Sequence, residues 1–168
     1  VVTFQYAPGR EVIAAPPVAW RSISGLSLGR PSPLAQAEWL AADIAAGLPH
    51  VFASTSAQFI PQMLNVDLID GVSYTKGCYA GQEIVARTHH LGRVKRRTLR
   101  FHLPADGAAP APLSHLLLEG VKAADVLMTA ETDDGIELLA VTNLDAAGKV
   151  LQLEDGRSAE PRPLPYSL

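Results

Sequence analysis

The apolar residues of this chain change period once, near Arg97, and that change limits the folds open to it. From there they alternate, in short runs near 97–103, 121–130, 136–143 and 149–153 separated by Gly, Asp and Pro turns. Period two turns one face of each run to a core and the other to water. Runs of this length, divided by turns and not by helices, predict a small antiparallel β-barrel over 97–168. The stretch 104–112, rich in Pro and Ala, reads as a loop.

Before Arg97 the signals are mixed. Residues 1–6 and 10–20 read as extended segments joined at Pro8-Gly9, with Pro16-Pro17 moving the later part of the second to a sheet edge. A loop over 29–33 delivers a helix: Ser32 suits the cap, Pro33 the first position and Gly47 the stop. Ala37, Leu40, Ala41, Ile44 and Leu48 form its apolar stripe, and Trp39 lies beside it. A short helix is expected near 62–69. Another, over 81–91, is expected to face inward through Ile84, Thr88 and Leu91 and to end at Gly92, with Glu83 and Arg87 spaced for an ion pair. The fold class is therefore α+β, with an α+β part over 1–96 and the barrel after it.

The 168 residues suffice to bury a core, and 48% hydrophobic with 18% charged residues is ordinary for a globular protein. No run of 18 apolar residues is present, so no membrane span is expected. One cysteine excludes an internal disulfide and a cysteine-only metal site within the chain, and it fits a reducing compartment. No metal ligand set is read. A net charge of −3 argues against wholesale nucleic-acid affinity, but Arg87, Arg93, Lys95, Arg96, Arg97 and Arg100 lie together with no acid among them.

The one cysteine is Cys78, in Lys76-Gly77-Cys78-Tyr79-Ala80-Gly81-Gln82-Glu83. A lone cysteine is commonly a small buried hydrophobe. Here Gly77 and Gly81 permit a tight turn at a helix entrance, and the helix dipole with Lys76 favours a thiolate. The reading is an exposed, functional thiol, whether redox-sensitive, part of a shared iron–sulfur site or in contact with a partner. His89 and His90 lie three turns along the helix, which disfavours a Cys–His nucleophile.

The octapeptide as a whole resembles the signature of the YgfZ-type folate-binding proteins, relatives of the glycine-cleavage aminomethyltransferases. The resemblance extends upstream through Phe59-Ile60-Pro61-Gln62-Met63-Leu64-Asn65 and Gly71-Val72-Ser73-Tyr74. It continues through Ile84-Val85-Ala86-Arg87 and the end Pro163-Leu164-Pro165-Tyr166-Ser167-Leu168. It covers the second half of a family protein and, with Val1 in first place, the chain is expected to lack an N-terminal half. A partial ferredoxin-like, GcvT-like domain followed by the barrel is the fold that the resemblance implies. It also implies a cytoplasmic accessory protein that binds tetrahydrofolate or another reduced folate and supports iron–sulfur enzymes of tRNA modification, including thiolation, without autonomous catalysis. A folate-dependent aminomethyltransferase is the alternative.

Carried over residue by residue, the resemblance gives Trp39, Lys76, Gly77, Tyr79, Gly81, Gln82, Glu83 and Arg87 to folate binding. Cys78 is the functional thiol. Trp39 would stack its indole on a pterin or aminobenzoyl ring, or else be a core aromatic. The chain departs from the family at Ala45, where the family commonly has an acid. Pterin donors call for a carboxylate, so Asp43 or Asp67 serves, or pterin binding is weaker. The basic run 93–100 has three readings: a solvated strand face, a site for the glutamate tail of folate, or a weak RNA contact.

Overall fold

The computed structural model describes residues 2–7, 10–14 and 33–168. Strands β1 (Val2–Ala7) and β2 (Arg10–Ala14) pair antiparallel, with Val2 opposite Ala14. The turn at Pro8-Gly9, the segment 15–20 and the cap at Ser32 lie outside the described residues, as does much of the expected ferredoxin-like part. Helix α1 (Pro33–Ala45) begins at its proline, as read. Its end is set by the backbone: Leu48 N–H donates to the Asp43 carbonyl at 2.8 Å and Gly47 N–H to Ile44 at 3.0 Å. This double bond pattern needs a left-handed residue, and Gly47 supplies it at φ 68°. A Cβ there would stand 2.7 Å from the Tyr166 hydroxyl, so glycine is required on both counts.

The barrel is built from β3 (Arg96–Leu103), β4 (His115–Leu118), β5 (Val121–Thr132), β6 (Gly135–Asn143), β7 (Leu151–Leu153) and β8 (Ser158–Arg162). The strands close in the order β3-β6-β5-β4-β7-β8, each pair antiparallel. Phe101, Leu103, Leu116, Val126, Leu138, Leu151 and Ala159 fill its interior. On the outside, Leu127, Met128, Leu139 and Val141 pack against Leu40, Ala41 and Ile44 of α1. Strands β5 and β6 are thus covered on both faces, which is why 123–128 is buried without alternation. Leu164, near the chain end, packs against both clusters.

Three expectations are corrected. Residues 61–70 form successive turns, not a helix, because Asn65 (φ 58°) and Asp70 (φ 57°) adopt the left-handed conformation, which stops helical propagation. Helix α2 (Gln82–Leu91) has the expected span, but its buried residue is Val85; Ile84 and Leu91 are 59% and 86% exposed. Its inward face follows from Gln62 bonding the Val85 carbonyl and from Tyr74 stacking on His89. Glu83 and Arg87 are both exposed and form no ion pair with each other. Strands β4 and β8 escaped the sequence reading: β4 is a short Leu run without alternation, and β8 carries Pro161.

Candidate functional site

The signature octapeptide forms the turn that starts α2. Gly81 is the residue before the helix, at φ 84°, a conformation that a side chain would strain. Gln82 closes the turn, its Oε1 accepting the Tyr79 N–H at 3.3 Å and its own N–H donating to the Tyr79 carbonyl at 3.2 Å. Gln82 is therefore a turn-former. Gly77 has open space around its Cα and no positive φ. Cys78 is exposed, three residues ahead of Gly81 and so outside the first helical turn, where the dipole acts most strongly. It makes no hydrogen bond to His89 or His90. Lys76 Nζ lies 4.5 Å above the Tyr79 ring.

Beside this turn is a cleft of about 350 Å³, walled by Phe59, Pro61, Leu64 and Val72 with Lys76 and Tyr79 at its edge. That volume is at the lower end of small-molecule sites. Val51 also lines it, next in sequence to His50. His50 Nε2 meets Oδ2 of the fully buried Asp43 at 2.7 Å, while Asp43 Oδ1 has no partner. Trp39 is half-buried one turn earlier on α1, on the same side as Asp43. Of the two acids that could replace the one missing at Ala45, Asp67 is engaged: Arg97 grips it bidentately at 2.9 and 3.0 Å. Only Asp43 has an acceptor to spare.

The upstream motif holds the turn in place. Gln62 Nε2 donates to the Val85 carbonyl at 2.7 Å and to Tyr74 Oη at 3.5 Å. Asn65 Nδ2 donates to the Thr98 carbonyl at 2.7 Å and to Tyr166 Oη at 3.2 Å. Thr98 Oγ1 donates to the Met63 carbonyl, and Arg97 also donates to that of Gln62. Tyr166 Oη donates to the Gly47 carbonyl at 2.7 Å. The segments 59–65 and 163–168 thus lock α1, the signature turn and β3 together. Sequence reasoning missed this lock and the Asp43–His50 pair; for the lock, Gln62 and Asn65, three apart within the otherwise apolar segment 59–65, were the available signal.

Three of the five cations in the basic run 93–100 are neutralised. Arg96 meets Asp125 at 2.6 Å, Arg97 meets Asp67, and Arg100 meets Glu137 at 2.8 Å. Burial alone would raise Asp125, but hydrogen bonds from Lys122 and Arg96 outweigh it and hold the carboxyl below its ordinary range. Arg87, Arg93 and Lys95 remain exposed. Among the described residues no group of three or more His, Cys, Asp or Glu is placed to hold a metal ion, and no helix is long and apolar enough to cross a membrane.

No protein-family model matches the chain. Curated proteins do. The tRNA-modifying protein YgfZ of Yersinia pestis (strain Pestoides F) is 40% identical over 141 residues, covering 78% of this chain and 42% of the relative. The protein of the same name from Yersinia enterocolitica serotype O:8 is 40% identical over 139 residues, with the same coverage. The chain spans about two fifths of the length of these relatives and matches their C-terminal part. Over the part that it spans, this chain is similar to the C-terminal part of the YgfZ proteins.

Proposed function

We propose that this chain is part of a tetrahydrofolate-binding accessory protein of tRNA modification that supports iron–sulfur enzymes, among them those that thiolate tRNA. In this reading residues 1–96 are the remnant of a ferredoxin-like, GcvT-like folate domain, and 97–168 are its C-terminal barrel. The observation that carries the proposal is the apolar cleft beside the signature turn, with Lys76 and Tyr79 at its edge and Cys78 exposed next to them. The apolar wall suits a flat ring system, and Lys76 a carboxylate of the folate tail. Asp43 Oδ1 is the acceptor for the pterin donors, with the Trp39 indole against the ring. Cys78 faces outward, toward a partner enzyme. The relatives' name is the support for tRNA modification.

A folate-dependent one-carbon transferase is the second reading, favoured by the Asp43–His50 pair. An imidazole held by a buried carboxylate has the arrangement of a general base.

Backbone and indole chemical shifts, followed while tetrahydrofolate is added to millimolar concentration, test the proposal. Shifts are expected at Trp39, at Val51 and over 76–79, and Asp43→Asn should weaken them. A titration that moves none of these residues would remove folate from the site. Conversion of an aminomethyl donor that His50→Ala abolishes would instead establish the transferase.

A further inference from the structure

The rings of Tyr74 and His89 stack with centroids 3.8 Å apart and planes 17° from parallel, and His90 meets them edge-on at 6.3 and 4.7 Å. Gln62 holds the Tyr74 hydroxyl from below, so the cluster is anchored to the core. His89 and His90 are exposed. On the same helix Arg87 points to solvent, and just past its end Arg93 and Lys95 border a cleft of about 300 Å³ with Leu144 and Asp145 opposite. Arg87, Arg93 and Lys95 form no ion pair among the described residues, whereas Arg96, Arg97 and Arg100 each have an acid. The charge free to act outward therefore belongs to α2 and the loop after it, beside exposed rings.

We infer that this surface binds a single-stranded nucleic acid, with its phosphates on Arg87, Arg93 and Lys95 and a base against the exposed histidine rings. Cations alone would serve any polyanion. Exposed rings beside them favour a strand whose base faces are free, because a duplex offers no such face and an acidic peptide has no flat partner to stack. Glu83, just ahead of the cations in the chain, and Asp145, which lines the same cleft as Arg93 and Lys95, keep the patch small. The choice of RNA over DNA rests on the proposed role in tRNA modification; the choice of a single strand does not.

The test is fluorescence anisotropy of this chain with a labelled oligouridylate of about ten nucleotides, beside oligothymidylate and an RNA duplex of equal length. Between about 50 and 200 mM salt, log affinity against log salt should fall with a slope of about −2, from three phosphates at roughly 0.7 each. A slope of about −4 would mean that six cations act and that the paired arginines take part, which overturns the assignment. Replacing Arg87, Arg93 and Lys95 together by Gln should weaken binding about tenfold or more at the lower salt. His90→Ala, which leaves the Tyr74–His89 stack, should weaken it about fivefold or more.

Thermal melts confirm that each variant is folded. Equal loss in Arg162→Gln, or unchanged affinity in His90→Ala with full displacement by oligoglutamate, would show a plain anion surface and overturn the proposal. Duplex bound as tightly as single strand would also overturn it. Oligothymidylate bound as tightly as oligouridylate would leave the single strand and remove the choice of RNA. The folate shifts at Trp39 and 76–79 are read separately, so either proposal can fail alone.

Discussion

Tyr166 donates its hydroxyl proton to the Gly47 carbonyl and accepts from Asn65, so ionising it breaks one bond and leaves a charge in a half-buried site. Burial pushes its pKa above the ordinary value near 10, despite the hydrogen bond from Asn65. The unfolded chain loses this proton near pH 10 while the folded chain still keeps it. The contribution to stability is therefore complete below about pH 10 and is lost as pH rises through the folded value. Urea melts from about pH 8 to about pH 11 should show a decline that is smaller in Tyr166→Phe. That variant should start about 0.5–1.5 kcal/mol less stable at neutral pH, from the lost hydrogen bond. Equal declines in both proteins would assign the effect to other groups. At this scale the sequence was legible as chemistry and not as roles. Gln82 and Asn65 stand out as motif residues, yet the structure uses one to close a turn and the other to bond the backbone of a strand.

Helix α1 was readable because its signals are local: a proline at the start, a glycine past the end and an apolar stripe between. The stripe meets the outer face of β5 and β6, with Ile44 fully buried at its centre. Ile44→Ala should cost about 2–5 kcal/mol, read from denaturant midpoints, with little change in slope. A cost within about 0.5 kcal/mol, typical of a surface change, would show that α1 does not rest on the barrel there. Helix α2 was readable in extent and misread in facing. Its apolar residues Ile84 and Leu91 suggest one inward side, but Gln62, reaching from 23 residues upstream, turns Val85 inward. The helix expected near 62–69 gives way to turns for the same reason. Local spacing there is helical, and a left-handed Asn65 fixed by distant partners overrides it.

Arg97 carries the link between barrel and signature segment for the molecule as a whole. Its side chain is 12% exposed and that of Asp67 14%, and they meet bidentately while Arg97 also bonds the Gln62 carbonyl. Arg97→Leu should destabilise the protein by up to ~3 kcal/mol, because Asp67 is left largely buried without its cation. Asp67→Leu with Arg97→Leu should recover part of that loss, and a double-mutant cycle measures the coupling. Additive effects would mean that the pair does not hold the two parts together. By itself the sequence determined the barrel's longer strands, the extent of both helices and the signature turn. Each depends on residues within a few positions of one another, through period two, period 3.6, and glycine at φ > 0. Tertiary structure alone decided which arginines are neutralised, which carboxylate keeps a spare oxygen, which face of α2 is buried and where the chain end locks. Those outcomes depend on partners brought from 23 to 119 residues away, and a buried polar group takes whichever partner the closed barrel puts within reach.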